Sequence, residues 1–308
     1  MARLEDICLV CGSRAFTPLY YPTRSPGPLA RCNECDFVFV LRIENDRSII
    51  DDGTDFKVSE ELLTGEDPTA LSDCWEFREL PAKLEEAPAL RINAQDALRR
   101  IAQYRQPPGS LLDFGCGWGF FLGAAREQGW SIHGLEPLPG HAVYAHSKFG
   151  ADVTTNVLRD NTFPPNYFDV ITAFQVFEHL PDPAGNLALL HRTLRDGGIL
   201  LVEVPNIDTW GVKLMGKRHR HFVPDHLNFF SAETLSRLFI SQGYEVLSHY
   251  YPTRQMSVRH LTSAWGARIL PERMFGVLSS TLEGSALWDR TFGLNLGDIV
   301  AVIARKAG

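Results

Sequence analysis

The sequence lacks a long hydrophobic run: a helix that spans a bilayer needs about 20 consecutive apolar residues, and no run approaches that length. The first seven residues include two acids where a secretory signal would be apolar. Basic residues are also in the minority, with 30 Lys and Arg against 37 Asp and Glu and a net charge of −7, which argues against a broad nucleic-acid surface. We therefore expect a cytoplasmic globular protein with no membrane association and no nucleic-acid partner.

Cysteine is scarce, but four of the six cysteines form two Cys-x-x-Cys pairs. The pairs are Cys8 with Cys11 and Cys32 with Cys35, and their separation is typical of a four-thiolate zinc site. Two disulfides are the alternative, which a reducing compartment disfavours. The sequence therefore predicts one structural Zn²⁺ that stabilises a small N-terminal zinc ribbon, because so short a module builds little core of its own.

Changes of pattern along the chain predict three regions. The zinc ribbon occupies residues 1–44, and residues 45–108 form an acidic, proline-containing connector or lid with a helix over about 87–104. From residue 109 to residue 308, strands alternate with helices, which predicts a doubly wound α/β sheet. Within that domain, we expect residues 252–296 to be a helical cap inserted before the last strand.

The strongest chemical signal is a glycine-rich turn between the first strand and helix of this domain. It begins with Asp113, which we expect among the cofactor-binding residues, and Gly115, Gly117 and a third glycine follow at alternate positions. Such a turn brings backbone N–H groups close to a ligand at the top of the sheet. Glu136 stands at the end of the next strand, where a carboxylate can accept both hydroxyls of a ribose. No Lys-Ser/Thr pair follows the glycines, which excludes a triphosphate-binding P-loop.

Four motifs in order resemble those of class I S-adenosylmethionine-dependent methyltransferases. They are Leu111-Leu-Asp-Phe-Gly-Cys-Gly-Trp-Gly119, Gly134-Leu-Glu-Pro137, Phe168-Asp-Val-Ile-Thr-Ala173 leading into Phe177-Glu-His-Leu-Pro-Asp-Pro183, and Leu194-Arg-Asp-Gly-Gly-Ile-Leu-Leu-Val-Glu-Val-Pro-Asn206.

This resemblance implies a Rossmann-like, seven-stranded sheet whose last strand is antiparallel. It also implies that S-adenosylmethionine is the cofactor. Gly115 and Gly117 would then face its methionine moiety and Glu136 its ribose, with Phe174 and Gln175 lining the pocket at the end of the fourth strand.

Two histidines are the candidate bases for a methyl transfer, which often requires the acceptor to lose a proton. His179 follows the fourth strand, and Glu178 beside it faces the same mouth of the sheet or caps the next helix. His226 lies on a later loop with Asp225, which would orient it, and imidazole titrates near neutrality. The sequence therefore favours His226 as the base, with His179 as the second candidate. The alternatives without chemistry are a helix-start residue for His179 and a loop hydrogen bond for His226.

Two narrower resemblances concern the acceptor. A zinc ribbon before such a core, together with the loop that begins at Asp225-His226, resembles bacterial sugar methyltransferases of deoxysugar and natural-product pathways. Their C-methylating members have a Glu-His pair and a nearby Tyr in this loop. Here Asp225 and His226 match the pair, but the loop contains no Tyr. Metal-assisted O-methyltransferases of quinone synthesis have Glu-x-x-Glu-His, and here Gln175 replaces the first acid. The sequence therefore predicts no catalytic metal.

We therefore expect transfer of a methyl group from S-adenosylmethionine to a hydroxyl of an activated sugar or natural-product intermediate. A basic island in residues 213–221 predicts either a phosphate clamp for such an acceptor or a solvated surface. C- or N-methylation and RNA methylation are the enzymatic alternatives. A catalytically silent protein that docks a partner is the non-enzymatic one.

Overall fold

The computed structural model describes residues 7–22, 24–41, 75–261, 285 and 290–307. The strands are β1 (Phe16–Pro18), β2 (Leu29–Cys32), β3 (Val38–Val40), β4 (Ser110–Phe114), β5 (Ser131–Leu135), β6 (Asp152–Thr154), β7 (Phe168–Phe174), β8 (Leu194–Pro205), β9 (Asn228–Phe229), β10 (Tyr244–Tyr250), β11 (Arg254–Ser257), β12 (Thr291–Leu294) and β13 (Ile299–Lys306). The α-helices are α1 (Leu80–Ile101), α2 (Phe120–Glu127), α3 (Pro139–Phe149), α4 (Pro183–Thr193), α5 (Trp210–Met215), α6 (Ala232–Ser241) and α7 (Val258–Leu261).

Seven strands form the central sheet in the order β10-β13-β8-β7-β4-β5-β6. The contacts among β8, β7, β4, β5 and β6 are parallel, whereas β13 runs antiparallel to both of its neighbours. This arrangement confirms the predicted Rossmann-like sheet with an antiparallel last strand. The strand order reverses between β4 and β7, so the ligand crevice is expected outside the carboxyl ends of these two strands.

Helices cover both faces of the sheet, because its inner strands are apolar on both sides. The core on one face includes Leu98, Leu111 and Leu122, and the core on the other includes Leu112, Leu187 and Leu238, all nearly inaccessible to solvent. Adjacent residues of β4 thus point to opposite cores, as the period of a strand requires. The helix predicted over 87–104 begins earlier, at residue 80, since proline suits the first turn of a helix.

The zinc ribbon contains a strand that the sequence pattern did not predict. Its sheet has the order β1-β2-β3-β9, and β9 belongs to the loop that follows Asp225 and His226. Val40 donates a backbone hydrogen bond to Leu227 (2.9 Å), and the rings of Phe37 and Phe230 lie 5.1 Å apart. The ribbon is therefore joined to the large domain through the loop that carries the candidate base.

The described ends of the insertion before the last strand are mainly strands, where we predicted a helical cap over 252–296. These strands are β11 and β12, which pair antiparallel as a separate two-stranded sheet, followed on the β11 side by the short α7. Asn93 of α1 fixes β11 through hydrogen bonds with the backbone of Gln255. Residues 262–284 and 286–289 of the insertion, residues 45–74 of the connector and residues 42–44 before it lie outside the described residues.

Candidate functional site

The four cysteines of the ribbon lie close enough to hold one metal ion. Their sulfur atoms are all within 4.8 Å of one another, with 3.5 Å between Cys8 and Cys35 and 3.5 Å between Cys11 and Cys32. Sulfurs bound to one tetrahedral zinc ion at about 2.3 Å stand about 3.8 Å apart, whereas a disulfide bond measures about 2.0 Å. The donor set therefore fits zinc and not the disulfide alternative, and the zinc itself stays a prediction.

The glycine-rich turn has the backbone conformation that only glycine adopts readily. Gly115 and Gly117 have φ values of 75° and 51°, both in the left-handed region. A Cβ on Gly115 would lie 2.5 Å from a methyl of Val176, whereas a Cβ on Gly117 would meet no atom within 4 Å. Gly115 is thus required by a close approach to the loop after β7. Gly117 leaves open space, which fits the close approach of a ligand.

Glu136 lies beside this turn at the end of β5 and is buried. Its carboxylate accepts backbone hydrogen bonds from Gly117 (2.8 Å) and Leu138 (3.0 Å). Asp113 lies under the turn, with its carboxylate 2.7 Å from the Thr172 hydroxyl that donates to it. Burial raises the pKa of Asp113 to about 7, and the charge of Glu136 adds to that rise. Glu136 is therefore placed beside the turn, whereas Asp113 supports the turn from below.

The end of β7 contributes the remaining predicted cofactor residues. Phe174 packs its ring against Phe121 of α2, with 4.7 Å between ring centroids. Gln175 has a φ of 57°, which is rare for a residue with a side chain, and its amide donates to Glu203 (3.2 Å). Glu203 also forms a buried ion pair with Arg254 of β11, a residue that the sequence did not single out. The inserted strand thus reaches the strand end beside the candidate pocket.

The structure brings both candidate histidines together just beyond the carboxyl end of β7. The rings of His179 and His226 stand 4.8 Å apart in an edge-to-face arrangement. Asp225 contacts His179 rather than the neighbouring His226: Nδ1 of His179 lies 3.0 Å from the carbonyl oxygen of Asp225 and 3.4 Å from its carboxylate. Because Nδ1 donates to the carbonyl, Nε2 of neutral His179 keeps its lone pair.

Glu178 completes this cluster, and the sequence had left its direction open. The side chain is fully buried, and neither carboxylate oxygen has a hydrogen-bond partner in another described residue, so the backbone N–H of Glu178 itself is the group that interacts with the carboxylate. Burial raises the pKa of Glu178 to about 8, with a smaller contribution from the charge of Asp225. The N-terminus of α4 is capped by Asp182 instead, whose carboxylate accepts from the Gly185 amide (2.8 Å).

His226 is more deeply buried than a general base of ordinary pKa would be. Burial, together with a smaller contribution from the neighbouring His179, lowers its pKa to about 3. The backbone of His221 hydrogen-bonds its ring, and Nδ1 has no partner among the residues that the structure describes. His226 is therefore neutral at physiological pH, and a pH–rate limb near the usual imidazole pKa is not expected from it.

Backbone contacts hold the two halves of the cluster together. The carbonyl oxygen of Glu178 accepts from the amides of Leu227 (2.7 Å) and Asn228 (3.0 Å). The side-chain amide of Asn228 donates to the carbonyls of Phe177 (3.0 Å) and Leu180 (2.7 Å). The loop with Asp225 and His226 is thus fixed against the segment with Glu178 and His179.

The basic island is largely committed to contacts within the protein. Arg220 forms an ion pair with Asp298, and Nε2 of His221 lies 2.9 Å from the Asp298 carbonyl oxygen. Lys213 pairs with Asp208 (2.8 Å), and His219 is buried. These contacts favour a structural role for His219, Arg220 and His221 over a free phosphate clamp.

A methyltransferase domain family matches residues 86–249, which is more than half of the chain. The ubiquinone biosynthesis O-methyltransferase of Pseudomonas aeruginosa is 30% identical over 146 residues, which are 44% of this chain and 60% of that protein. A probable S-adenosylmethionine-dependent methyltransferase of Mycolicibacterium smegmatis is 26% identical over 193 residues, 62% of this chain and 70% of that protein. The chain thus spans only 60% of the first of these relatives.

Solved structures resemble the fold. A chain in the complex of the Haloferax volcanii Trm112 methyltransferase activator with a methyltransferase matches with a TM-score of 0.54 and 15% identity, covering 77% of this chain and 96% of that chain. Among the described residues, no helix is long and apolar enough to cross a membrane. With its sheet order, its glycine turn and the family match, the chain belongs to the methyltransferase domain family, as a class I S-adenosylmethionine-dependent methyltransferase.

Proposed function

We propose that this protein transfers a methyl group from S-adenosylmethionine to a hydroxyl group of a small polar acceptor. The observation that carries the proposal is the cluster of Glu178, His179, Asp225 and His226 at the carboxyl end of β7, beside the strand-order reversal where the cofactor binds in this fold. A methyl acceptor must stand in line with the sulfonium, so polar groups at this edge are placed to meet it.

The residues at the turn fit the cofactor. The open side of Gly117 leaves room for the methionine moiety, and the Glu136 carboxylate stands at the strand end where ribose hydroxyls are held in such sheets. When bound, S-adenosylmethionine supplies an electrophilic methyl group on its sulfonium. Phe174 and Gln175 close the pocket at the end of β7, and the strained φ of Gln175 is typical of functional sites.

The cluster contains a group that can accept the proton of the acceptor hydroxyl. Nε2 of His179 carries a lone pair because Nδ1 donates to the Asp225 carbonyl, and the Asp225 carboxylate lies beside the same ring, where it stabilises a positive charge. The acceptor oxygen forms its bond to the methyl carbon as the carbon–sulfur bond breaks, and His179 takes the released proton. This assigns the base to His179, with His226 as its buried neighbour.

The acceptor class follows from two different observations. The zinc ribbon and the Asp225-His226 loop favour an activated sugar or a natural-product intermediate, as the sequence analysis predicted. The similarity to ubiquinone biosynthesis O-methyltransferases favours an aromatic hydroxyl as the second candidate. Both classes present a hydroxyl next to another oxygen, and both are consistent with a polar cluster at the mouth of the sheet.

A methyl-transfer assay with labelled S-adenosylmethionine tests the proposal. The acceptor panel contains nucleotide-linked sugars and dihydroxylated aromatic compounds, and each product is identified by mass spectrometry. We expect O-methylation in one of the two classes. Binding of S-adenosylmethionine without transfer to any hydroxyl, together with transfer to carbon or nitrogen of a related compound, would overturn the assignment to oxygen.

A further inference from the structure

The cluster beside the cofactor pocket contains three groups that share the chemistry of metal ligands. Ligand atoms of Glu178, His179 and His226 all lie within 4.8 Å of one another. Two imidazoles and one carboxylate are the donor set of many sites for divalent first-row transition metals. The three residues come from two segments of the chain. The motif Glu-x-x-Glu-His did not indicate this site, because Gln175 replaces its first acid. His226, on a loop 47 residues beyond His179, provides the third group instead.

A buried carboxylate without a partner is the second and independent observation. Both oxygens of Glu178 lack a hydrogen-bond partner in any other described residue, although the residue is only 1% exposed. Buried polar atoms in folded proteins are almost always paired, so an unpaired carboxyl group requires an explanation such as a bound ion. Nδ1 of His226 is likewise buried and unpartnered within the described part of the chain.

The outer contacts of the two histidines match those of metal-bound histidines. A histidine that binds a metal usually donates its other ring N–H to a carbonyl or carboxylate, which fixes the tautomer and points the lone pair at the ion. Here Nδ1 of His179 donates to the Asp225 carbonyl, and the backbone of His221 hydrogen-bonds the His226 ring. The ring nitrogens left with lone pairs are Nε2 of His179 and Nδ1 of His226, and a ligand atom of each residue lies within 4.8 Å of a Glu178 carboxylate oxygen.

We propose that Glu178, His179 and His226 bind a divalent first-row transition-metal ion, which would hold and polarise the acceptor hydroxyl. Three protein ligands leave open coordination positions, and a bound cation lowers the pKa of a hydroxyl group that coordinates it. The inference rests on the proposed function for the position of the acceptor. A bound ion would change the deprotonation step of the proposed function. The ion would lower the pKa of the acceptor hydroxyl, and the hydroxyl proton would pass to solvent instead of to His179.

A cobalt titration of the full-length protein, followed by metal content and absorption spectra, tests this site. The full-length protein is stripped of metal under reducing conditions and titrated with Co²⁺. Cobalt bound by four thiolates gives an intense thiolate charge-transfer band, whereas cobalt bound by histidine and carboxylate gives only weak d–d absorption. We expect two equivalents of cobalt in the wild type, the second without added thiolate absorption.

Three variants assign the second equivalent. Glu178→Gln and His226→Ala are each expected to bind one equivalent and to keep the full thiolate band, which shows that the ribbon is still folded. Glu233→Gln, which changes an exposed glutamate of α6 that pairs with Arg237, is the matched control and should keep two equivalents. A wild type that takes one equivalent, or variants that keep the second, would overturn the metal site.

The same samples separate this inference from the proposed function. If the one-equivalent wild type still methylates its acceptor, the proposed function stands and the metal proposal fails. If the protein binds two equivalents but does not bind S-adenosylmethionine in a calorimetric titration, the metal proposal stands and the proposed function fails.

Discussion

At the scale of single residues, the site is a cluster of polar groups whose protonation is set by burial. Burial raises the pKa of Glu178 to about 8 and lowers that of His226 to about 3, so both are neutral in the metal-free protein at pH 7. His179 is the histidine with an oriented tautomer and an acidic neighbour, Asp225. The sequence identified all the residue types but paired Asp225 with the adjacent His226, because nearness along a loop does not show which way a side chain points.

Removing the imidazole of His179 should lower turnover by about 10²–10⁴-fold, the range for loss of a general base. His179→Ala should leave the affinity for S-adenosylmethionine nearly unchanged, because the glycine turn and Glu136 are intact. Steady-state kinetics and calorimetry of the same variant measure both quantities. His249→Ala, on the exposed side of β10, is the control. Full turnover in His179→Ala would remove this residue from the mechanism.

An ion pair between Arg220 and Asp298 connects the basic island to the residue that directly precedes the last strand. Burial by itself would raise the pKa of Asp298, but hydrogen bonds from His221 and Arg220 outweigh it and hold that pKa well below its usual range. Because the folded pKa is depressed, this contribution to stability is present above the unfolded pKa, near 3.9, and is lost as the pH falls below it.

Asp298→Asn should therefore lower the free energy of unfolding by about 1–2 kcal/mol at pH 7, a value reduced because Arg220 is partly exposed. The difference from the wild type should shrink as the pH is lowered below the unfolded pKa of an aspartate. Urea unfolding across this range of pH measures it. An equal difference at all pH values would show that the substitution acts through packing rather than charge.

At the scale of elements, the zinc ribbon acts as a scaffold for the loop of the candidate site. Strand β9 belongs to the large domain in sequence but pairs with β3 of the ribbon, and it directly follows Asp225 and His226. The pattern of the sequence could not reveal this pairing, because a two-residue strand has no periodicity and its partner lies about 190 residues away. The central strands were predictable, since each is an apolar run bounded by glycine, proline or polar residues.

Phe37 is the ribbon residue whose removal should loosen that loop. Phe37 is fully buried against Phe230, and a Phe→Ala change in a core costs about 3–5 kcal/mol. In Phe37→Ala we expect faster amide hydrogen exchange in residues 225–230 as well as in the ribbon, measured by mass spectrometry. Phe16→Ala, on the opposite edge strand of the ribbon, should affect residues 225–230 less. Unchanged exchange in this segment would separate the ribbon from the loop.

At the scale of the whole molecule, the cysteine-containing ribbon and the methyltransferase sheet share one hydrophobic core. Phe37 and Phe39 of the ribbon belong to the same buried cluster as Leu187 and Leu238 of the large domain. Four ordered motifs were sufficient to predict the family and, through the resemblance, a seven-stranded sheet with an antiparallel last strand. The acceptor and the paired strands of the insertion were not predictable, because they depend on contacts between segments that are distant along the chain.

We propose that the turn at Gly115–Gly117 and the carboxylate of Glu136 form the S-adenosylmethionine site. Isothermal titration calorimetry of the full chain with this cofactor tests it most directly. We predict one site in the wild type and a loss of about 1–3 kcal/mol in Glu136→Ala, the scale of hydrogen bonds to a charged group. Glu245→Ala, on the exposed face of β10, should bind like the wild type. No binding by the wild type, or equal affinity in Glu136→Ala, would contradict the account.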